Sequence, residues 1–378
     1  MLDWIGGAAS SRCDSSSNRR ASDTGPSLRG SLQAHSRQNI ARLDSFADRF
    51  RPNQVKHDKT GSITMTARLS DGEFTYTALD LWEQLPDGIT LVECPGVAVD
   101  ANDTVYVLTR NVDHPVMVFD AEGAWQGSWG QGNFTERSHG IWIGPEGDVW
   151  GADDGTHTIT RWSPDGELLQ TLGDPYNPAP AWGGKPFNRP THAAVSPKSG
   201  DIFVTDGYGN SCVHRFDADG NHKQTWGTPG IDAGQFIRPH NIAIDEDGLL
   251  YIADREAHRV QIFSESGQFV TMWNNIHRPD GLTLAPDGNI YIGELNEMGG
   301  MQDAPGLGHR VSIYDRSGNR LAVLGHPDEG DEAGKFIAPH GIAVDSTGAV
   351  YVGEVCNTIR GKALGVELHS LSKLVRED

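Results

Sequence analysis

A segment of fourteen residues recurs six times in this chain, and the recurrence limits the fold more than any other feature. The copies read CPGVAVDANDTVYV (94–107), SHGIWIGPEGDVWG (138–151), THAAVSPKSGDIFV (191–204), PHNIAIDEDGLLYI (239–252), PDGLTLAPDGNIYI (279–292) and PHGIAVDSTGAVYV (339–352). Each holds two short alternating runs joined by a polar turn, the pattern of a strand pair. Five copies continue into a third run, such as VMVFDAEG, VHRFDADG or VQIFSESG, and a fourth, such as WQGSWG, KQTWG or FVTMW. Anchors at 95, 139, 192, 240, 280 and 340 leave 40 to 60 residues per unit, enough for four short strands. A unit of this size cannot bury its apolar face alone, so the units must pack on one another. Six four-stranded units predict an all-β, six-bladed β-propeller, which leaves few exposed edges.

The last unit ends with its third run, HSLSKLVRE, and lacks a fourth. A strand near 73–84 (EFTYTALDLWEQ) is expected to supply it and close the ring, making 61–378 one domain. Residues 1–60 are rich in Ser, Arg, Asn and Gln with no sustained period, so a mobile arm with at most a weak helix over NIARLDSFADRF is expected there.

Composition removes several classes of partner. The 31 basic and 51 acidic residues give a formal charge of −20, which repels phosphate backbones and anionic lipid, so neither nucleic acid nor a membrane surface is expected. No apolar run approaches the roughly 20 residues of a membrane span, and the first twenty residues lack the apolar core of an export signal. With four widely spaced cysteines, the chain reads as a cytoplasmic protein with reduced thiols. Nothing in the sequence sets an oligomeric state.

The innermost strand of each blade lines the central channel, so equivalent positions form a ring. One such ring reads Pro95, His139, His192, His240, Asp280, His340. Six positions drawn from a chain with 15 histidines in 378 residues would hold about a quarter of one histidine, and here there are four. An imidazole serving only its own turn is the plainer alternative, but it predicts no convergence. His139, His240 and His340 belong to blades two, four and six, and three neutral imidazoles meeting on one axis make a site for Zn2+ or another divalent transition metal. His192, between two of those blades, is left as a fourth ligand, a substrate donor or a bystander.

A second ring lies where each second strand ends: Thr109-Arg110, Asp153-Asp154, Asp206-Gly207, Asp254-Arg255, Glu294-Leu295 and Glu354-Val355. The first member, acidic in five copies, is expected to accept hydrogen bonds from turn amides. The second varies, and arginine occurs only in the opposed blades one and four. Arg110 and Arg255 beside one cation imply an anionic ligand, against the alternative of ordinary salt bridges. Blade three carries TDGYGNS (205–211) at this level, and Tyr208 there is a candidate general base, or else loop packing. Insertions at 173–190 and 293–310 are expected to roof one end of the channel.

Across roughly residues 90–360, HGIWI, DGYGNS, PHNIAID, ADRE and PHGIAVD together resemble peptidyl-α-hydroxyglycine α-amidating lyase, among the NHL-repeat propellers. The resemblance implies His139, His240 and His340 as zinc ligands, Tyr208 as the catalytic tyrosine, Arg110 as the arginine assisting it, and Arg255 as an active-site arginine. It implies a small substrate bearing a carboxylate, an α-hydroxyglycine-type N-acyl or ureido compound cleaved to an amide and glyoxylate. His192 stands where animal enzymes carry aspartate, and Ala338 where they carry a substrate-contacting methionine. The family's structural calcium uses an aspartate at the position of Gly341 with carbonyls matching Val97 and Ile141, so the resemblance does not extend to Ca2+ here. Two rivals are a non-catalytic NHL scaffold that binds protein and a lactonase-like hydrolase. Calcium in the latter would want oxygen ligands rather than three imidazoles.

Overall fold

A computed structural model describes residues 50–57, 63–79, 81–296 and 306–377. Six antiparallel sheets make the propeller, five of them with four strands in simple sequence order. Their innermost strands are Gly96–Val99, Ser138–Ile143, His192–Val195, Pro239–Ile244, Pro279–Leu284 and Pro339–Val344. In the sixth sheet Pro339–Val344, Val350–Glu354 and Leu371–Arg376 are followed by Phe74–Leu79 in antiparallel pairing with Leu371–Arg376. That sheet runs on through Ile63–Asp71 to Phe50–His57.

Part of the expected arm is therefore sheet. Phe50–His57 pairs with Ile63–Asp71 because a closing strand leaves its own outer edge unsatisfied, and the chain folds back to cover it. Residues 1–49 and 58–60, with nearly all of the proposed weak helix, lie outside the described residues, as do 297–305 of the second insertion.

The local logic repeats from blade to blade. In the fourth, Asp245 Oδ1 accepts from the amides of Asp247 and Leu249 at 3.0 and 2.8 Å, closing the turn, and Gly248 takes the left-handed conformation at φ 82°. Each second strand places one aromatic residue between blades: Tyr106, Trp150, Phe203, Tyr251, Tyr291 and Tyr351, all buried. The Tyr251 and Tyr351 hydroxyls donate to the turn carboxylates of Asp245 and Asp345 at 3.1 Å, so a polar tip is satisfied while the ring packs. Burying one such ring stabilises by roughly 4–6 kcal/mol before chain entropy is counted. The core is thus a series of clusters between neighbouring blades, such as Phe203, Phe236, Ile242 and Phe263 between the third and fourth. The acids ending the second strands do meet turn amides. Asp254 accepts from Ile237 and Arg238 at 3.0 Å each, and Glu354 from Ile337 and Ala338 at 2.7 and 2.8 Å.

Candidate metal centre

Each of the three histidines opens an inner strand, where the chain enters the channel. His139, His240 and His340 are buried, with ring centroids 4.7–4.8 Å apart and ligand nitrogens all within 4.8 Å of one another. Their outward nitrogens are tied back by the next blade round the ring. His139 Nδ1 lies 2.7 Å from the Thr191 carbonyl, and His340 Nδ1 2.6 Å from the Pro95 carbonyl. His240 Nδ1 lies 3.3 Å from the Asp280 carbonyl and 2.6 Å from Asp280 Oδ1. Carbonyl and carboxylate oxygens only accept, so each Nδ1 carries the hydrogen and each Nε2 presents a lone pair.

Tyr208 closes the cluster. Its hydroxyl lies 3.0 Å from His139 Nε2 and 3.1 Å from His240 Nε2. One phenolic hydrogen serves one lone pair, so a cluster of three such lone pairs is electron-rich and fits a divalent cation. Protonation is not an alternative source of charge. Burial, reinforced by repulsion from the other two imidazoles, keeps His139 well below its usual range. Burial takes His240 down to about 3 despite Asp280, and His340 is lowered mainly by burial as well.

The expected residues are not all together. Arg255, itself buried, has Nη1 3.5 Å from the Tyr208 hydroxyl and 3.1 Å from Asp280 Oδ1. Arg110 sits across the channel, held by Glu93 and by Thr358 Oγ1 at 2.8 Å. Its charge bears on His139 and His340, and its Nε has no hydrogen-bond partner. His192 stands apart from the three-imidazole cluster. Its ring packs 4.8 Å from Trp142, its Nδ1 has no hydrogen-bond partner, and burial takes it down to about 4. The imidazole there is thus neutral. Beyond it, a Cβ on Gly341 would fall 2.6 Å from Gly96 Cα, so no carboxylate can be seated at that position. The residues do not fit a calcium ion here.

Four contributors escaped the sequence reasoning. Asp280 was visible in the histidine ring as the one acid, yet its role depends on facing His240 and Arg255 at once. Arg189 and Arg238 lie over the Tyr208 ring at 4.7 and 5.2 Å, with Arg255 at 5.7 Å. Arg137 and Arg189 converge on buried Asp154. The signal was arginines two or three residues ahead of the histidine ring at 137, 189, 238 and 278, with Glu93 and Ala338 in the other two blades. In a chain of charge −20 these arginines make one end of the channel locally cationic. The 173–190 insertion lies on the Tyr208 turn, with the Trp182 amide donating to the Gly209 carbonyl and the Gly209 amide to the Asn188 carbonyl, each at 2.9 Å.

Fold and site together define a six-bladed repeat propeller with a three-imidazole centre on alternate blades. Comparison with known proteins gives the family. The NHL repeat model matches residues 187–216 and 236–263. Human NHL repeat-containing protein 3 is 30% identical over 278 residues, 68% of this chain and 76% of that protein. Peptidyl-alpha-hydroxyglycine alpha-amidating lyase 1 of Drosophila melanogaster is 33% identical over 256 residues, 62% of this chain but 46% of the lyase, so the match spans about half of that enzyme. A solved Bacteroides thetaiotaomicron structure of unknown function superposes with a TM-score of 0.55 at 15% identity, over 86% of this chain and 84% of that one, a likeness of fold alone. The chain belongs to the NHL-repeat six-bladed propeller family that includes the amidating lyases. Among the described residues no helix is long and apolar enough to cross a membrane.

Proposed function

We propose that this protein is a metal-dependent lyase cleaving the C–N bond of a carboxylate-bearing carbinolamide, R-CO-NH-CH(OH)-COO⁻, to an amide and glyoxylate. The observation that carries this is the Tyr208 oxygen, held between His139 and His240 with three guanidinium groups over its ring. A divalent cation on His139, His240 and His340, Zn2+ by the chemistry of the ligands, would supply Lewis acidity to the substrate's oxygen atoms. The chain's own residues supply the rest. In its tyrosinate form Tyr208 takes the proton of the carbinol hydroxyl, the C–O bond becomes a carbonyl as the C–N bond breaks, and the proton returns to the departing amide nitrogen. Arg255 and Arg110, on opposite sides, are the partners for the substrate carboxylate, and Arg189 and Arg238 add cationic field at the tyrosine.

Burial keeps the imidazoles neutral, which suits metal binding. The rival scaffold role is supported by the coverage of NHL repeat-containing protein 3, whose name carries no activity. The test is His240→Ala, assayed for bound metal by elemental analysis and for glyoxylate release from an N-benzoyl-α-hydroxyglycine substrate. Loss of both is expected. Full glyoxylate release by the variant, or zinc-loaded wild type releasing none, would leave the lyase reading without support.

A further inference from the structure

We infer that blade three holds a second, thiolate-containing metal site of the zinc class, built from Asp206, Cys212 and His214 with Asn210 at its edge. These residues touch none of the three channel histidines, and the reaction proposed above makes no use of them. All four are buried. The ligand atoms of the first three lie within 4.8 Å of one another. Cys212 Sγ is 3.5 Å from His214 Nε2, and that nitrogen is 3.2 Å from Asp206 Oδ2. For metal bonds of about 2.1 Å to nitrogen or oxygen and 2.3 Å to sulfur, a tetrahedral edge is about 3.5 Å, so these separations admit an ion with little rearrangement.

The repeat itself shows what is unusual. Asp206 is blade three's copy of the acid that ends five of the six second strands. In blades four and five the residue directly across the ladder from that acid is an arginine that pairs with it, Arg259 on Asp254 and Arg310 on Glu294. In blade three the same register position is Cys212, and two residues on, where Gln261 and Ser312 stand, is His214. Blade two has Thr158 opposite Asp153 at this position, so blade three alone among these sets a thiol and an imidazole, two transition-metal ligands, beside its fully buried carboxylate.

Two polar atoms are left over. Asp206 Oδ2 accepts from the Asn188 amide at 2.9 Å and from Asn210 Nδ2 at 2.8 Å, whereas Asp206 Oδ1 and Asn210 Oδ1 have no hydrogen-bond partner. A buried oxygen without a partner costs free energy that a bound cation would recover. His214 Nδ1 lies 2.8 Å from Thr225 Oγ1, which fixes the ring with Nε2 toward the cluster, as outer partners do for metal-bound imidazoles.

The location gives the site a consequence. Asp206 and Asn210 bracket Tyr208 in sequence, the Asn188 amide comes from the 173–190 insertion, and Phe187 covers the His214 ring at 5.6 Å between centroids. An ion here would pin the insertion and the Tyr208 turn to the blade. The residues are positioning residues and take no part in bond breaking.

The experiment is Co2+ titration of the metal-stripped full chain, read by the near-ultraviolet thiolate-to-cobalt charge-transfer band and by bound stoichiometry. Wild type should bind about two equivalents and show the band. His240→Ala should lose about one equivalent and keep the band, while Cys212→Ser should lose the band and about one equivalent, with circular dichroism checking the fold. Zinc-loaded wild type should show a sulfur scatterer at about 2.3 Å by X-ray absorption. Absence of both the band and the sulfur scatterer in wild type overturns the inference even if Cys212→Ser does not fold. So does a folded Cys212→Ser variant that retains the band.

Discussion

Replacing Asp280 with asparagine tests how the ring orients its own ligands. Asp280 is fully buried, and its Oδ1 takes His240 Nδ1 at 2.6 Å and Arg255 Nη1 at 3.1 Å. Burial alone would raise its carboxyl, but the contact with His240 and the Arg255 guanidinium outweigh it and hold the group well below its usual range, so it is charged. Asn keeps the shape and removes the charge. His240 Nδ1 retains the Asp280 carbonyl at 3.3 Å, a longer and neutral contact. The difference is one charge-assisted hydrogen bond, about 1.5–3 kcal/mol. At about 1.4 kcal/mol per decade that is a loss of roughly 10- to 100-fold in metal affinity, the range found for outer partners of metal-bound histidines. Glu256, 3.0 Å from its Nε, would be the one carboxylate left to Arg255, so the melting temperature should fall as well. Chelator competition with Zn2+ on wild type and variant measures the first effect, and thermal melts the second. A variant whose zinc affinity stays within about threefold of wild type would refute the claim that Asp280 orients His240.

Other consequences are as direct. Removing residues 1–85 deletes Phe74–Leu79 with buried Phe74, Tyr76 and Ala78, and should give a chain without a cooperative melt, whereas removing 1–55 should leave one. Equal melting of the two truncations would count against ring closure by that strand. Gly341→Asp would force a Cβ to within 2.6 Å of Gly96 Cα and 2.8 Å of Val97 N, costing about 1–3 kcal/mol. Ca2+ should not rescue its melting temperature, and rescue would contradict the misfit described above. Glu354 is buried and, chiefly for that reason, its carboxyl is raised from 4.5 to about 7. The folded state therefore holds a proton that the unfolded state releases between those values, so stability falls as pH rises from about 4.5 to 7, by about 3 kcal/mol in all. Glu354→Gln, neutral throughout, should flatten that slope in denaturant titrations at pH 5 and pH 8, and an unchanged slope would assign it to another group.

Much of the molecule was legible because the repeat encodes it locally. The blade count, the strand pairs, the turn acids and the place of His139, His240 and His340 all follow from residues within about fifteen positions of one another. Histidine at the aligned position of blades two, four and six was enough to expect convergence. What the sequence could not give were contacts between blades. That the Thr191 carbonyl orients His139, that Asp280 orients His240, and that the Pro95 carbonyl reaches His340 across 245 positions are products of ring closure. The same holds for Arg255 reaching Tyr208 while Arg110 is held by Glu93, and for Phe50–His57 folding onto the last blade. Side-chain direction at a strand end is set by what the neighbouring blade presents, and only the closed ring determines which neighbour that is.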